Sequence, residues 1–151
     1  MFIELFVAWA SESASVEVER AALHEACAVA RRDRKPVLLE FSAPWCGDCR
    51  RLAELAGESP LAEELGEWHL VKVDVGRFDR HEDLRTLFGV GAIAWWTALR
   101  PGRASCTQVD RWEVLANSSF EPASGQTGPR SAAEIAQWLI RARAARAAGA
   151  R

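Results

Sequence analysis

The sequence predicts an α/β fold in a single domain, on three observations. Segments of strand character alternate with segments of helical period, in the order strand, helix, strand, helix, strand, helix, strand, up to the turn at Pro101-Gly102. With 151 residues, 49% of them hydrophobic and 26% charged, the chain is large enough to bury one core and too apolar to be disordered by default. The apolar run 37–41 leads directly into Trp45-Cys46-Gly47-Asp48-Cys49, as a strand does when it feeds a helix start.

Residues 2–10 are apolar but too short to span a bilayer, and they carry Glu4 without a basic leader. A first strand explains them better than a signal peptide, so residues 1–15 read as an N-terminal strand and linker. Residues 16–34 read as a helix with Val18, Ala22, Leu23, Ala26, Cys27 and Ala30 on its inner side, ended by Pro36. The following strand, 37–41, is apolar except for Glu40, and Ser42-Ala43-Pro44 turns it into the cysteine motif.

The motif opens a helix over 46–56 that Gly57 stops. Ser59 as N-cap and Pro60 at the first helical position predict a short helix closed by Gly66. A strand follows over 68–75, and Asp79 or a neighbour caps a helix carrying Leu84, Leu87 and Phe88. The stretch 93–99 is the next strand, and 108–115 is a second antiparallel one. Residues 116–130 read as an exposed loop, rich in turn formers. Ser131 and Glu134 form a capping box for the last helix, whose buried face is Ile135, Trp138 and Leu139; residues 131–151 end in a basic, solvated tail.

A net charge of −2 gives no reason for nucleic acid or an anionic membrane to be an obligatory partner. His24, His69 and His81 are scattered and make no metal-ligand spacing with the cysteine pair, so no metal is expected. Cys27, on an apolar helical face, reads as a packed thiol, and Cys106, just after a turn, as a separate and more exposed one. Cys46 and Cys49 differ from both. At i and i+3 they share one helical face, and the first sits where unpaired N–H groups and the helix dipole favour a thiolate. Such a pair can attack a disulfide and then close on itself.

Through Val37-Leu38-Leu39-Glu40-Phe41-Ser42-Ala43-Pro44-Trp45-Cys46-Gly47-Asp48-Cys49-Arg50 and Leu70-Val71-Lys72-Val73-Asp74, the chain resembles the thioredoxin family. It is especially similar to bacterial thioredoxin-like proteins in which Trp-Cys-Gly-Asp-Cys is followed by a segment such as Val73-Asp74-Val75-Gly76-Arg77-Phe78-Asp79-Arg80. The likeness covers residues 16–102, with the last helix fitting as well. It implies a three-layer sandwich, a central mixed sheet flanked by helices, and reduction of protein disulfides with Cys46 as the exposed attacking thiol and Cys49 as the resolving one.

The resemblance also places Glu40, six residues before Cys46, as a buried carboxyl supporting proton transfer, with Lys72 as its partner. A buried Glu40–Lys72 ion pair without kinetic role is the competing reading. Trp45 becomes a hydrophobic lip for substrate, Gly47 allows close backbone approach, and Asp48 stands where thioredoxin itself has proline. Ile93 and Ala94 take the place of the family's cis-proline loop beside the dithiol. A cis bond before a residue other than proline costs about 2.5–4 kcal/mol, so Ile93–Ala94 is expected to be trans. Trp95 and Trp96 point to opposite faces of a strand, both expected under helices.

The partners implied are protein disulfides and an electron donor that the sequence does not specify, with the chain acting as a monomer and needing no organic cofactor. The missing signal favours the cytoplasm, and a periplasmic location follows if the N-terminus is an atypical signal. Two other classes compete. One is a redox-inactive binding module using Trp45, Trp95 or the loop after Asn117, and the other is a metal or iron–sulfur site shared between two chains through four thiolates.

Overall fold

The structure is a computed structural model that describes residues 15–120 and 131–145. Helix α1 (Val16–Asp33) begins at Ser15, whose hydroxyl accepts the Val18 N–H at 3.2 Å, and ends at Arg34 in a left-handed conformation. It is followed by β1 (Val37–Ser42), α2 (Gly47–Ala56), α3 (Leu61–Leu65) and β2 (His69–Asp74). Then come α4 (Glu82–Phe88), β3 (Trp95–Arg100), a 3-10 turn at Val109–Arg111, β4 (Glu113–Ser119) and α5 (Ala132–Ala144).

The four strands form one mixed sheet in the order β2-β1-β3-β4. β1 runs parallel to β2 and antiparallel to β3, and β4 is antiparallel to β3. Every residue of β1 is buried, as a central strand covered on both faces requires. Phe41 meets Phe88 of α4 on one face, while Trp96 stacks edge-on with Phe120, which meets Trp138 of α5, on the other. α1 packs on β1 and β2, and α3 packs against both α2 and α5. The fold is therefore α/β, with helices on both sides of a mixed sheet.

Several boundaries differ from the sequence expectation. α3 starts at Leu61, with Pro60 as N-cap; Ser59 does not cap it, because its hydroxyl is bonded to Glu63 Oε1 at 2.8 Å. His81, not Asp79, is the N-cap of α4, since Asp79 Oδ1 accepts the Arg77 N–H within its own loop. The 3-10 turn takes up the chain where 108–115 was expected to begin a strand, so β4 is displaced and residues 116–119 belong to it rather than to a loop. The N-terminal strand expected over 2–10, the stretch 121–130 and the basic tail from 146 lie outside the described residues.

The largest correction concerns Cys27 and Cys106, which are not separate thiols. They form a disulfide between α1 and the loop after β3, with a Cα–Cα distance of 5.6 Å across a separation of 79 residues. The turn after Pro101 brings Cys106 back onto the inner face of α1, where Cys27 is fully buried. Trp96 is covered as expected, but Trp95 is only half-buried, because its indole N–H is drawn to Asn117 Oδ1 at 2.5 Å near the start of β3.

Candidate active site

Chain direction builds the site. β1 runs from the core to Ser42, and Cys46 N–H then bonds back to Ala43 O at 3.1 Å, closing a tight turn that places Cys46 at the N-cap of α2. There its sulfur accepts the Cys49 N–H at 3.1 Å, one of the donors a helix start leaves unpaired. Cys46 and Cys49 are joined in a disulfide with Cα atoms 5.2 Å apart, within the ordinary range for such a bridge.

Cys46 was expected to be the exposed thiol of the pair, yet in this oxidised form it retains 4% of its surface and Cys49 6%. The bond to Cys49 and the N–H contact turn the Cys46 sulfur back onto the helix, which accounts for the difference. Among the described residues no cluster of His, Cys, Asp and Glu side chains is arranged to hold a metal.

Trp45 is 48% exposed and flanks the disulfide. Its indole N–H donates to Gly76 O at 2.7 Å, and its ring lies 6.1 Å from that of Phe78. Gly47 is exposed and Asp48 partly so in the first turn of α2. Arg50 reaches back to Pro44 O at 3.3 Å and braces the turn before the motif. Phe78 and Gly76 were not among the sequence candidates. The aromatic residue in the stretch after β2 was the signal for them.

Ile93 and Ala94 are buried immediately before β3, whose Trp95 pairs with Phe41 near the end of β1 that leads to the motif. The Ile93–Ala94 bond is cis, against the expectation of trans. The surrounding chain accommodates that geometry: Ala94 O accepts the Phe120 N–H at 2.8 Å from the end of β4, and the regular strand begins at the next residue.

Glu40 is buried in the middle of β1, paired with Lys72 of β2 on one side and Trp96 of β3 on the other. Burial pushes its pKa up, against the opposing pull of the Lys72 charge and the Trp96 indole. Trp96 Nε1 is a buried donor without a hydrogen bond of ordinary geometry, and it faces this carboxyl. Lys72 is exposed, so it acts on Glu40 through its charge rather than as half of a buried ion pair.

A family model described as thioredoxin-like matches residues 18–93, a span that contains the disulfide, Glu40, Lys72 and the strand pair beneath them. The chain belongs to the thioredoxin-like family. Among its relatives, a thioredoxin from Alicyclobacillus acidocaldarius is 37% identical over 71 residues, covering 46% of this chain and 62% of that protein. Protein disulfide-isomerase tigA from Aspergillus niger is 45% identical over 67 residues, 41% of this chain and 17% of that protein. The thioredoxin-like chain thus spans less than two thirds of the length of either relative. The structure of a disulphide isomerase from Xylella fastidiosa Temecula1 shares the fold at a TM-score of 0.63 and 23% identity, over 87% of this chain and 93% of that one.

Proposed function

We propose that this thioredoxin-like protein is a thiol-disulfide oxidoreductase that reduces disulfides in other proteins through Cys46 and Cys49. The observation that carries the reading is the Cys46–Cys49 bridge at the start of α2, with the Cys46 sulfur accepting a backbone N–H. A sulfur so placed is stabilised as a thiolate by the N–H group and the helix dipole.

In the reduced protein the Cys46 thiolate attacks one sulfur of a substrate disulfide, forming a mixed disulfide and expelling the other substrate sulfur as a thiolate, which takes up a proton. Cys49 gives up its proton and attacks the Cys46 sulfur. The Cys46–Cys49 bond forms and the second substrate thiol leaves. Two electrons have passed from the protein dithiol to the substrate, and a dithiol-bearing donor restores them.

Glu40 supports the resolving step. Burial raises its pKa, against the Lys72 charge and the Trp96 indole, so it can exchange a proton nearer neutrality than an ordinary carboxyl. Trp45 and the adjoining Gly47 and Asp48 form the exposed surface that meets the substrate chain, beside the Ile93–Ala94 backbone. No organic cofactor takes part. Of the two locations, the Cys27–Cys106 disulfide favours the oxidising one, the periplasm or its equivalent, since reducing compartments keep thiols unpaired.

The test is an equilibrium redox titration of Cys46 and Cys49 against a glutathione series, together with turnover of a disulfide-bonded model protein. A two-electron transition in the thioredoxin range, abolished by Cys46→Ser, supports the reductase. A markedly more oxidising transition reassigns the protein as an oxidant or isomerase, and absence of any dithiol transition removes the exchange chemistry altogether.

A further inference from the structure

Glu19 lies in the first turn of α1, where a carboxylate ordinarily faces water, yet it is only 6% exposed. Its Oε2 accepts the Asp74 N–H at 2.6 Å, at the end of β2. Its Oε1 accepts Arg80 Nη2 at 2.6 Å and lies 3.3 Å from His81 Nε2. The roles at His81 are fixed by its other neighbour. The Arg20 guanidinium can only donate, so His81 Nδ1 accepts from Arg20 Nε at 3.3 Å and Nε2–H is left to donate to Glu19.

One carboxylate therefore grips both ends of the segment 75–80. Within that segment the chain is tightly folded. Asp79 and Arg80 N–H groups both reach Val75 O, Asp74 Oδ1 accepts the Gly76 N–H at 2.7 Å, and Asp79 Oδ1 accepts the Arg77 N–H at 2.9 Å. Gly76 has φ +60°, and a Cβ there would run into Asp79 Oδ1, so the position requires glycine. Towards Trp45 the segment offers the Gly76 carbonyl and the Phe78 ring, the two groups that hold that side chain. The Arg85 guanidinium lies over the Phe78 ring, 6.0 Å from its centre.

We propose that Glu19 is a positioning residue of the dithiol site: with Arg80 and His81 it fixes the 75–80 loop, and through that loop it sets the orientation of Trp45 for docking a protein disulfide. The proposal deepens the oxidoreductase reading and rests on it for its functional half. A buried ionic cluster is poor value as a stabiliser, because desolvation of its charges offsets their attraction. Its worth here is geometric, since a loop with one left-handed glycine and one left-handed phenylalanine, Gly76 and Phe78, has to be held at both ends to offer a fixed carbonyl.

The experiment follows the indole N–H of Trp45 in a two-dimensional 15N spectrum of the full-length oxidised protein. The resonance is identified by its loss in Trp45→Phe. Glu19→Gln places an amide N–H against donors that need an acceptor, so the Trp45 indole is expected to shift and to exchange with solvent several-fold faster, while the Trp96 and Trp138 indoles stay in place. KM for a disulfide-bonded protein is expected to rise several-fold with kcat changed by less than about twofold, the pattern of lost docking. Arg80→Lys keeps the cation and should give a smaller shift of the same resonance, and it decides the matter if Glu19→Gln does not fold. An unmoved Trp45 indole in a folded variant overturns the proposal. If the indole moves but the wild-type protein reduces no disulfide, the link from Glu19 to Trp45 stands and the oxidoreductase reading is what fails.

Discussion

At Glu40 the sheet keeps a carboxyl group where an apolar side chain would pack without cost, between Lys72 and Trp96 on the flanking strands. Because burial, against the Lys72 charge and the Trp96 indole, raises its pKa in the folded state, that state binds a proton the unfolded chain has already lost. The associated stability is complete below the unfolded carboxyl pKa and is lost as pH rises through the folded one. Glu40→Gln should therefore raise Tm relative to wild type more at pH 8 than at pH 5, as thermal unfolding at the two pH values will read. The same substitution should slow release of the mixed disulfide near neutrality without slowing the first attack. The two sulfurs themselves separate cleanly by substitution: Cys46→Ser reduces turnover to background, whereas Cys49→Ser leaves the first attack and accumulates a protein adduct that appears by mass on a non-reducing gel.

Elements whose signals are local were legible in the sequence. The period of α1, the Ser131–Glu134 pair at α5 and the apolar β1 are each decided by residues within a few positions of one another. Cys46 and Cys49 were legible for the same reason, and Glu40 was placed by the resemblance, six residues before Cys46. What escaped depends on contacts far apart in the chain. Cys27 and Cys106 meet only because the loop after β3 folds back onto α1, and nothing within either segment records that encounter. Glu19 carries no signal within its own helix, because its partners lie at the end of β2 and in the 75–80 loop. The start of β4 shifted because the 3-10 turn competes for the same residues. The crosslink carries its own prediction at this scale. Closing a loop of 79 residues restricts the unfolded chain, so replacing both Cys27 and Cys106 by alanine should cost about 2–4 kcal/mol in urea unfolding of the oxidised protein. A loss near zero would mean that the bridge adds nothing to stability, and a thiol count on the unfolded protein then reads whether it forms in solution.

Over the whole molecule the layer opposite α1 is closed by a clamp between α3 and α5. Arg143 near the end of α5 holds both oxygens of Glu64 in α3, at 2.6 and 3.1 Å, and the Trp68 indole donates to the same carboxylate at 3.2 Å. Arg100 of β3 adds donors to the Arg143 and Ala145 carbonyls, tying the end of the helix to the sheet. Burial alone would push the Glu64 pKa up, but the hydrogen bonds from Arg143 and Trp68 and the Arg143 charge outweigh it, and the net direction is down. The stability this gives is present above the unfolded carboxyl pKa and is lost as pH falls through the folded one, opposite in sign to Glu40. Arg143→Ala leaves a buried carboxylate short of its main partner, so it should destabilise the oxidised protein by about 1–3 kcal/mol at pH 7. Urea unfolding over a series of pH values descending from 7 distinguishes the cause. If the ion pair carries the effect, the difference between variant and wild type shrinks as acid protonates Glu64 and leaves Arg143 no anion to hold. If it persists undiminished, the clamp works through packing of the arginine stem, and the charge on Glu64 plays no part in holding α5 to the sheet.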